Sequence, residues 1–379
     1  EGVITNSSLI IGLTLLPILI YAVMLFGRTF PVQERVRAGV SFKEMLQQPG
    51  ILSWAVAVVF VVLEVGRVFE LSNNIKIILM ATLIIPYAAY VQKLGRPIFF
   101  LMVLIMCLLA TTELGTDSWI TPLMTGEMDA VGISAGWVLV YTSLIMMVLR
   151  FSAGPIVHAF KPLTLLAGSA LLAAVGLYLL GSVSGFVLIF AVATLYGVGK
   201  TFFWPATLGV ISEQFPKSGA LGINMIAGIG MLFVGTIGAP WLGYVQDVDT
   251  NSTLKADHSA VYEETVANTQ TKSFLGLIDY KSVDETNATP GEKETIATVQ
   301  DASKKTVLRT ATILPITMLV AYLLLMTYFN SKGGYKPIEL MGGEVAEAAA
   351  EDASNEITPA SDSGQAGADG DADVGGQTS

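Results

Sequence analysis

Five ionisable residues interrupt otherwise apolar runs of this sequence, and any chemistry it performs is expected there. Glu113 and Asp117 fall in 97–119, Lys200 in 185–210, and Glu64 and Arg67 near the end of 50–69. A charge placed in hydrocarbon is costly unless it pairs or lines a wet cavity, so each of the five is a functional candidate. Lys200 is the strongest. It lies near the centre of its run, inside Tyr196-Gly197-Val198-Gly199-Lys200-Thr201-Phe202-Phe203-Trp204-Pro205, too deep for its ammonium to reach an interface. Tyr196, Lys200 and Trp204 recur every four residues and so share one face of a helix. A sugar site needs such a face, with an aromatic ring against the sugar's apolar side and charged or amide groups on its hydroxyls. The competing role for the two aromatics is packing against neighbouring helices or lipid. Pro205 and the two glycines loosen this helix and favour a kink. Gly199-Lys200-Thr201 fits the end of a phosphate-binding loop, but that motif's first glycine falls on Thr194 and no strand precedes it, which excludes nucleotide binding.

Glu113 lies about 7 Å to the outer side of its run's centre, and Lys200 about 4 Å to the inner side of its own. Extended side chains span that gap, so a Glu113–Lys200 pair is expected. Glu113 is also the candidate coupling residue, a carboxyl able to take up and release a proton. Asn224 is the strong polar group of 220–244 and a candidate to reach a cavity. The same run carries Gly222, Gly228, Gly230, Gly235 and Gly238, which suit close helix packing with hinge capacity. Glu64 and Arg67, three apart, are expected to pair locally. Trp119 fits either an interfacial aromatic belt or a substrate contact. The candidate substrate-binding set is Lys200, Tyr196, Trp204, Glu113 and Asn224, with no catalytic residue among them.

The elements that must position these residues are membrane helices. Apolar residues make up 53% of the 379-residue chain and charged residues 14%, with mean hydropathy +0.62. Soluble domains carry nearer one-quarter charged residues. The net charge of -10 is concentrated in 246–306 and 337–379 and argues for no basic partner. No basic patch with interleaved aromatics is present, so nucleic-acid binding is not expected. A single cysteine, Cys107, and two histidines, His158 and His258, leave no disulfide framework and no Cys- or His-based metal site. No cofactor is implied. The chain opens on Glu1 rather than Met, so a longer parent protein is expected.

A helix needs about 20 apolar residues to cross the hydrocarbon. Nine runs qualify: 8–26, 50–69, 75–93, 97–119, 136–153, 162–181, 185–210, 220–244 and 307–329. The fold class is therefore all-α, a polytopic transmembrane bundle of about nine spans. Arg28, Arg35, Arg37, Lys43, Lys93, Arg96, Lys161 and Lys217 all fall on one side of the alternation, which marks that side as cytoplasmic. Residue 1 is then outside and the C-terminus cytoplasmic, in a cell inner (plasma) membrane. Residues 30–46 interleave charge with Val36, Val40, Phe42 and Met45 and fit a short amphipathic helix on the cytoplasmic face or a solvated connector. The external segment 246–306 is either a small folded piece or flexible. Residues 340–379, without aromatic, Lys or Arg, are expected to be disordered.

Three stretches carry a resemblance to a family. They are Gly235-Thr236-Ile237-Gly238-Ala239-Pro240-Trp241-Leu242-Gly243-Tyr244-Val245-Gln246-Asp247, Gly209-Val210-Ile211-Ser212-Glu213-Gln214-Phe215-Pro216-Lys217-Ser218-Gly219-Ala220, and the basic loop 28–46. In order, they resemble the end of the eleventh helix, the turn between the tenth and eleventh helices, and the inter-half linker of the major facilitator superfamily. The resemblance covers 8–48 and 97–330. It implies a C-terminal part of such a fold: 1–27 as the last helix of the first half, 28–49 as the linker, 97–330 as a six-helix half, and 331–379 as a tail. Two departures stand out, an inserted helix pair at 50–96 and the long loop 246–306. A third is local. In Gly154-Pro155-Ile156-Val157-His158-Ala159-Phe160-Lys161, His158 takes the Asp position of the family's Gly-x-Leu-x-Asp-Arg repeat, where it is either a pH-sensitive substitute or simply solvated.

The expected function is secondary active transport of a small polar solute, a sugar first, by alternating access coupled to a proton or sodium gradient. A drug or organic-anion antiporter of the same superfamily is the first alternative, and an integral membrane enzyme such as a lipid or glycan transferase the second. No enzyme activity is expected under the leading reading. The expected partners are the small-molecule substrate, the coupling ion and the lipid bilayer, with the chain itself a monomer.

Overall fold

A computed structural model describes residues 2–340 apart from 29–33, 130, 131, 133, 135, 154, 155, 157–159, 268, 270, 276 and 287. His158 and the acidic tail 341–379 lie outside the described residues. Residues 2–37 belong to one unit and residues 38–340 form the other. The first unit holds α1 (Gly2–Leu25), apolar over Ile11–Leu25, and the single turn α2 (Glu34–Arg37).

The second unit begins with α3 (Phe42–Gln47), closed by a capping box in which Ser41 and Glu44 satisfy each other's backbone N–H. The amphipathic segment is therefore two short helices, α2 and α3, and not one. Gly39, at φ +68, separates them. A helical hairpin follows, α4 (Gly50–Val68) and α5 (Asn73–Val91). The chain then runs through α6 (Pro97–Ala110), a π turn at Thr111–Gly115, α7 (Thr116–Asp129) and α8 (Gly136–Phe151). Next come α9 (Pro162–Leu180), α10 (Phe186–Lys200), α11 (Phe203–Gln214), α12 (Gly219–Phe233), a second π turn at Val234–Gly238, and α13 (Ala239–Asp257). After α14 (Ser259–Tyr262) and an antiparallel hairpin of β1 (Thr271–Phe274) and β2 (Ile278–Lys281), α15 (Pro290–Ala311) and α16 (Ile313–Ser331) close the bundle.

α6 is the central helix. Phe99, Met102, Val103, Ile105, Met106 and Leu109 are all buried and Leu104 stands exposed, so it is apolar on every side and covered over most of its circumference. α5 is the opposite case. Only Val91 is buried, and Ile77, Ile78 and Ile85 stand exposed, a surface that only lipid can solvate. Each of the nine apolar runs falls on a helix. Among the described residues, seven helices are long and apolar enough to cross a membrane, while Ile11–Leu25 and Gly136–Phe151 are shorter apolar helices. The protein is an all-α polytopic integral membrane protein.

The segment 246–306 is folded. The helices of the flanking spans continue past the apolar runs, as α13 to Asp257 and as α15 from Pro290. Between them Leu254, Val266, Ile296 and Val299 form a second small core, separate from that of the bundle. The β hairpin lies against α13, where the ring of Tyr244 stacks on Phe274 and meets Tyr280 edge-on. At the other end, residues 335–338 fold back along α11. The Tyr335 hydroxyl donates to Glu213 Oε2 at 2.7 Å, the Gln214 amide to the Lys336 carbonyl at 2.8 Å, and the Ile338 N–H to the Glu213 carbonyl at 2.8 Å.

The hairpin α4–α5 is tied on at a backbone crossing. The Ile51 and Leu52 N–H groups donate to the Lys93 and Leu94 carbonyls, and the Arg96 N–H donates to Gln48. A Cβ on Gly95, at φ +108, would sit 2.2 Å from the Pro49 carbonyl oxygen, so only glycine fits this crossing.

Candidate functional site

Four of the intramembrane charges meet on α6–α7, α8 and α10. Lys200 Nζ lies 2.5 Å from Asp117 Oδ1, and Arg150 Nη2 lies 3.1 Å from Glu113 Oε1. The expected Glu113–Lys200 pair is therefore replaced by two others, Asp117–Lys200 and Glu113–Arg150. The π turn is the reason. It fits one extra residue into the helix, which turns every following position by about 100° and moves it along the axis. Glu113 sits inside that turn and Asp117 just beyond it, so their directions differ from those a regular helix would give.

The lysine side chain is 1% exposed and that of Glu113 5%, whereas Asp117 is 28% and Arg150 38% exposed. Each buried charge thus faces a partner with some access to solvent. Taking one ion out of water costs several kcal/mol, which a close partner largely offsets. The four charges sum to zero. Glu113 Oε2 is buried and has no hydrogen-bond partner, so half of that carboxylate is unsatisfied.

The local backbone explains how these side chains converge. α10 ends at Lys200 and α11 starts at Phe203, so the helix breaks at Thr201–Phe202, in the turn just before Pro205, as a proline there favours. Pro205 has no N–H to offer the Thr201 carbonyl four residues earlier, and Arg150 Nε donates to that carbonyl at 3.0 Å instead. Arg150 therefore holds Glu113 and the broken end of α10 at once. Tyr196, one turn before Lys200, is fully buried. Its ring lies 5.1 Å from the lysine Nζ, its hydroxyl is 2.6 Å from Thr116 Oγ1, and it also donates to the Thr112 carbonyl. α9 and α10 approach closely enough for this because position 176 is glycine. A Cβ there would fall 2.8 Å from the Tyr196 nitrogen.

Of the five expected binding residues, Glu113, Tyr196 and Lys200 are brought together. Trp204 lies beyond the break on α11, half-buried against the bundle core. Asn224 stands elsewhere, on the far side of α12, in an apolar groove shared with Trp54 and Tyr87 of the α4–α5 hairpin. Trp119 packs on the bundle core. Glu64 and Arg67 pair with each other, as expected, at 2.5 Å on the surface.

Sequence reasoning missed Arg150, which is not among the five intramembrane candidates. Its signal was present, since it ends an apolar helix three residues after Met147 with no acidic neighbour to hold it. It also missed the second π turn, Val234–Gly238, which packs against the first. A Cβ on Gly238 would meet Thr111 Oγ1 at 2.4 Å. Gly230 and Gly238 are thus close-packing positions, whereas Gly228 and Gly235 face open space.

Among the described residues, no group of three or more His, Cys, Asp and Glu is placed to hold a metal ion. No known family matches the chain, and no curated protein matches it either.

Proposed function

We propose that this chain is the C-terminal part of a secondary active transporter of the major facilitator type, moving a small polar solute by alternating access. The observation that carries the reading is the neutral four-charge cluster at the two helix irregularities. Transporter sites are built where membrane helices are interrupted, because interruptions expose polar backbone and allow two packings. Here a π turn in α6–α7 carries Glu113, a break after α10 carries Lys200, and Arg150 bridges them. On this reading α4–α5 is an insertion between two halves, and the nine helices alternate across a plasma membrane with the C-terminus in the cytoplasm.

Each cation in the cluster already has a carboxylate. That favours a neutral hydroxylated solute, such as a sugar, over an anion, which would have to displace Glu113 or Asp117. The organic-anion reading draws support from Arg150, whose side chain borders an open concavity of about 460 Å³ with Ser143 and Met147. Glu113 is the coupling residue in either case, because its second oxygen has room in its hydrogen-bonding for a proton.

The test is uptake into proteoliposomes containing the intact protein, with labelled neutral sugars and organic anions offered under an imposed proton or sodium gradient. Gradient-driven accumulation of a sugar that is lost in Glu113→Gln is the expected result. Accumulation of anions alone would select the antiporter reading. Chemical turnover of lipid or glycan without net transport would overturn the proposal in favour of an enzyme.

A further inference from the structure

The bundle carries a second cavity, remote in character from the charge cluster. It is an apolar groove of about 390 Å³ between α12 and the α4–α5 hairpin, walled by Trp54, Tyr87, Leu221, Asn224, Gly228 and Leu232. Trp54 and Tyr87 stack at 4.6 Å to form one wall. Their polar atoms are already bound, Trp54 Nε1 to the Leu83 carbonyl and the Tyr87 hydroxyl to the Leu46 carbonyl. The opposite wall runs from Leu221 to Leu232, about 16 Å at 1.5 Å per residue, close to the ~15 Å depth of one leaflet.

One end of the groove is marked by charge. Leu46 lines it from α3, and the same short helix carries Lys43 and Glu44. Lys43 Nζ reaches Gln92 Oε1 at 3.3 Å, next to exposed Lys93. Lys217 Nζ stands 4.0 Å from Glu44 Oε1, one turn before Leu221. Three lysines and one carboxylate thus lie beside this end of the groove, a net charge of about +2. Glu44 is committed to capping Ser41 and is held below the usual carboxylate range, chiefly by that backbone hydrogen bond.

We infer that this groove is a binding site for one anionic phospholipid, with an acyl chain along α12 and the phosphate held by Lys43, Lys93 and Lys217. A basic mouth over an apolar slot between membrane helices selects an anionic headgroup, each lysine adding to its retention. Asn224, about one turn inside Leu221, offers its amide at the depth of the glycerol esters. The lipid then acts as a wedge that fixes the hairpin to α12. The inference needs only that the helices lie in a bilayer and is independent of what the protein transports.

The test is native mass spectrometry of the intact protein released from nanodiscs of dioleoyl-phosphatidylglycerol and dioleoyl-phosphatidylcholine in equal amounts. One retained phosphatidylglycerol, preferred roughly tenfold over phosphatidylcholine, is the expected result. The triple variant Lys43→Gln/Lys93→Gln/Lys217→Gln should lose that preference, and Lys332→Gln, at another exposed lysine, should keep it. Gly228→Leu puts a side chain into open space on a helix, so it should fold and should lose both bound lipids. Equal retention of the two lipids by the wild type would overturn the inference. So would a preference that survives the triple variant, or a dimer that Gly228→Leu dissociates.

Discussion

The two sides of α6–α12 solve the problem of packing in a membrane in opposite ways. On one side, the first π turn, α7, α8 and α10 bring together four charges, two of them buried, with Thr116 and Tyr196, around two backbone irregularities. On the other side, α4 and α5 are two regular 19-residue helices that add apolar surface and little else. The first arrangement costs desolvation and holds only while each charge keeps its partner. The second tolerates exchange of one apolar group for another but hangs on a short backbone crossing. Polar specificity and simple coverage are thus separated within one bundle.

The largest expected effect breaks the first side. Asp117→Asn leaves Lys200 buried and unpaired, and should cost about 3–5 kcal/mol of stability. Adding Lys200→Met to it should recover most of that cost. Thermal unfolding in detergent measures both, and a double variant no more stable than the single would show that the two residues act independently. Next in size, Gly95→Ala attacks the second side. Strain at φ +108, with the contact to Pro49, should cost about 1–3 kcal/mol. Hydrogen exchange should quicken at Ile51 and Leu52 while the amides of α6 keep their protection. Loss of protection throughout the bundle would mean that the hairpin is not an adjunct.

Smaller still is Tyr335→Phe, which removes one hydrogen bond to Glu213 and should cost about 1 kcal/mol. The Ile338 amide should exchange faster, with uptake unchanged. The smallest effect is one of pH. Glu44 has a carboxyl lowered by its bond to the Ser41 backbone, so its contribution is present above the ordinary carboxylate range and is lost as pH falls through its own lowered value. Protection of the Ser41 amide, relative to its intrinsic exchange rate at each pH, should fall between about pH 5 and about pH 3 in the wild type, and be already lost at neutral pH in Glu44→Ala.

The helices were legible because twenty apolar residues in a row leave few alternatives, and the important ionisable residues were legible because they stand out against that background. Their partners were not. Periodicity assumes 3.6 residues per turn, and the π turn at Thr111–Gly115 breaks the assumption between the cluster's two acids. The small core of the 246–306 segment was hidden because Leu254, Val266, Ile296 and Val299 are scattered through some of the most polar sequence in the chain. Asn224 was legible as polar, but nothing in the sequence says which neighbour α12 presents it to.

The paired π turns bear on how this chain must be compared with its kin. A π turn is what one surplus residue looks like once a helix has absorbed it. Length differences among homologues are usually sought in loops, where they do least harm. Here the natural places for a one-residue gap are 111–115 and 234–238, in the middle of two membrane helices that touch. An alignment that forbids gaps inside spans would slide Glu113 and Asp117 against the wrong columns, and the site would vanish from view while every helix still matched.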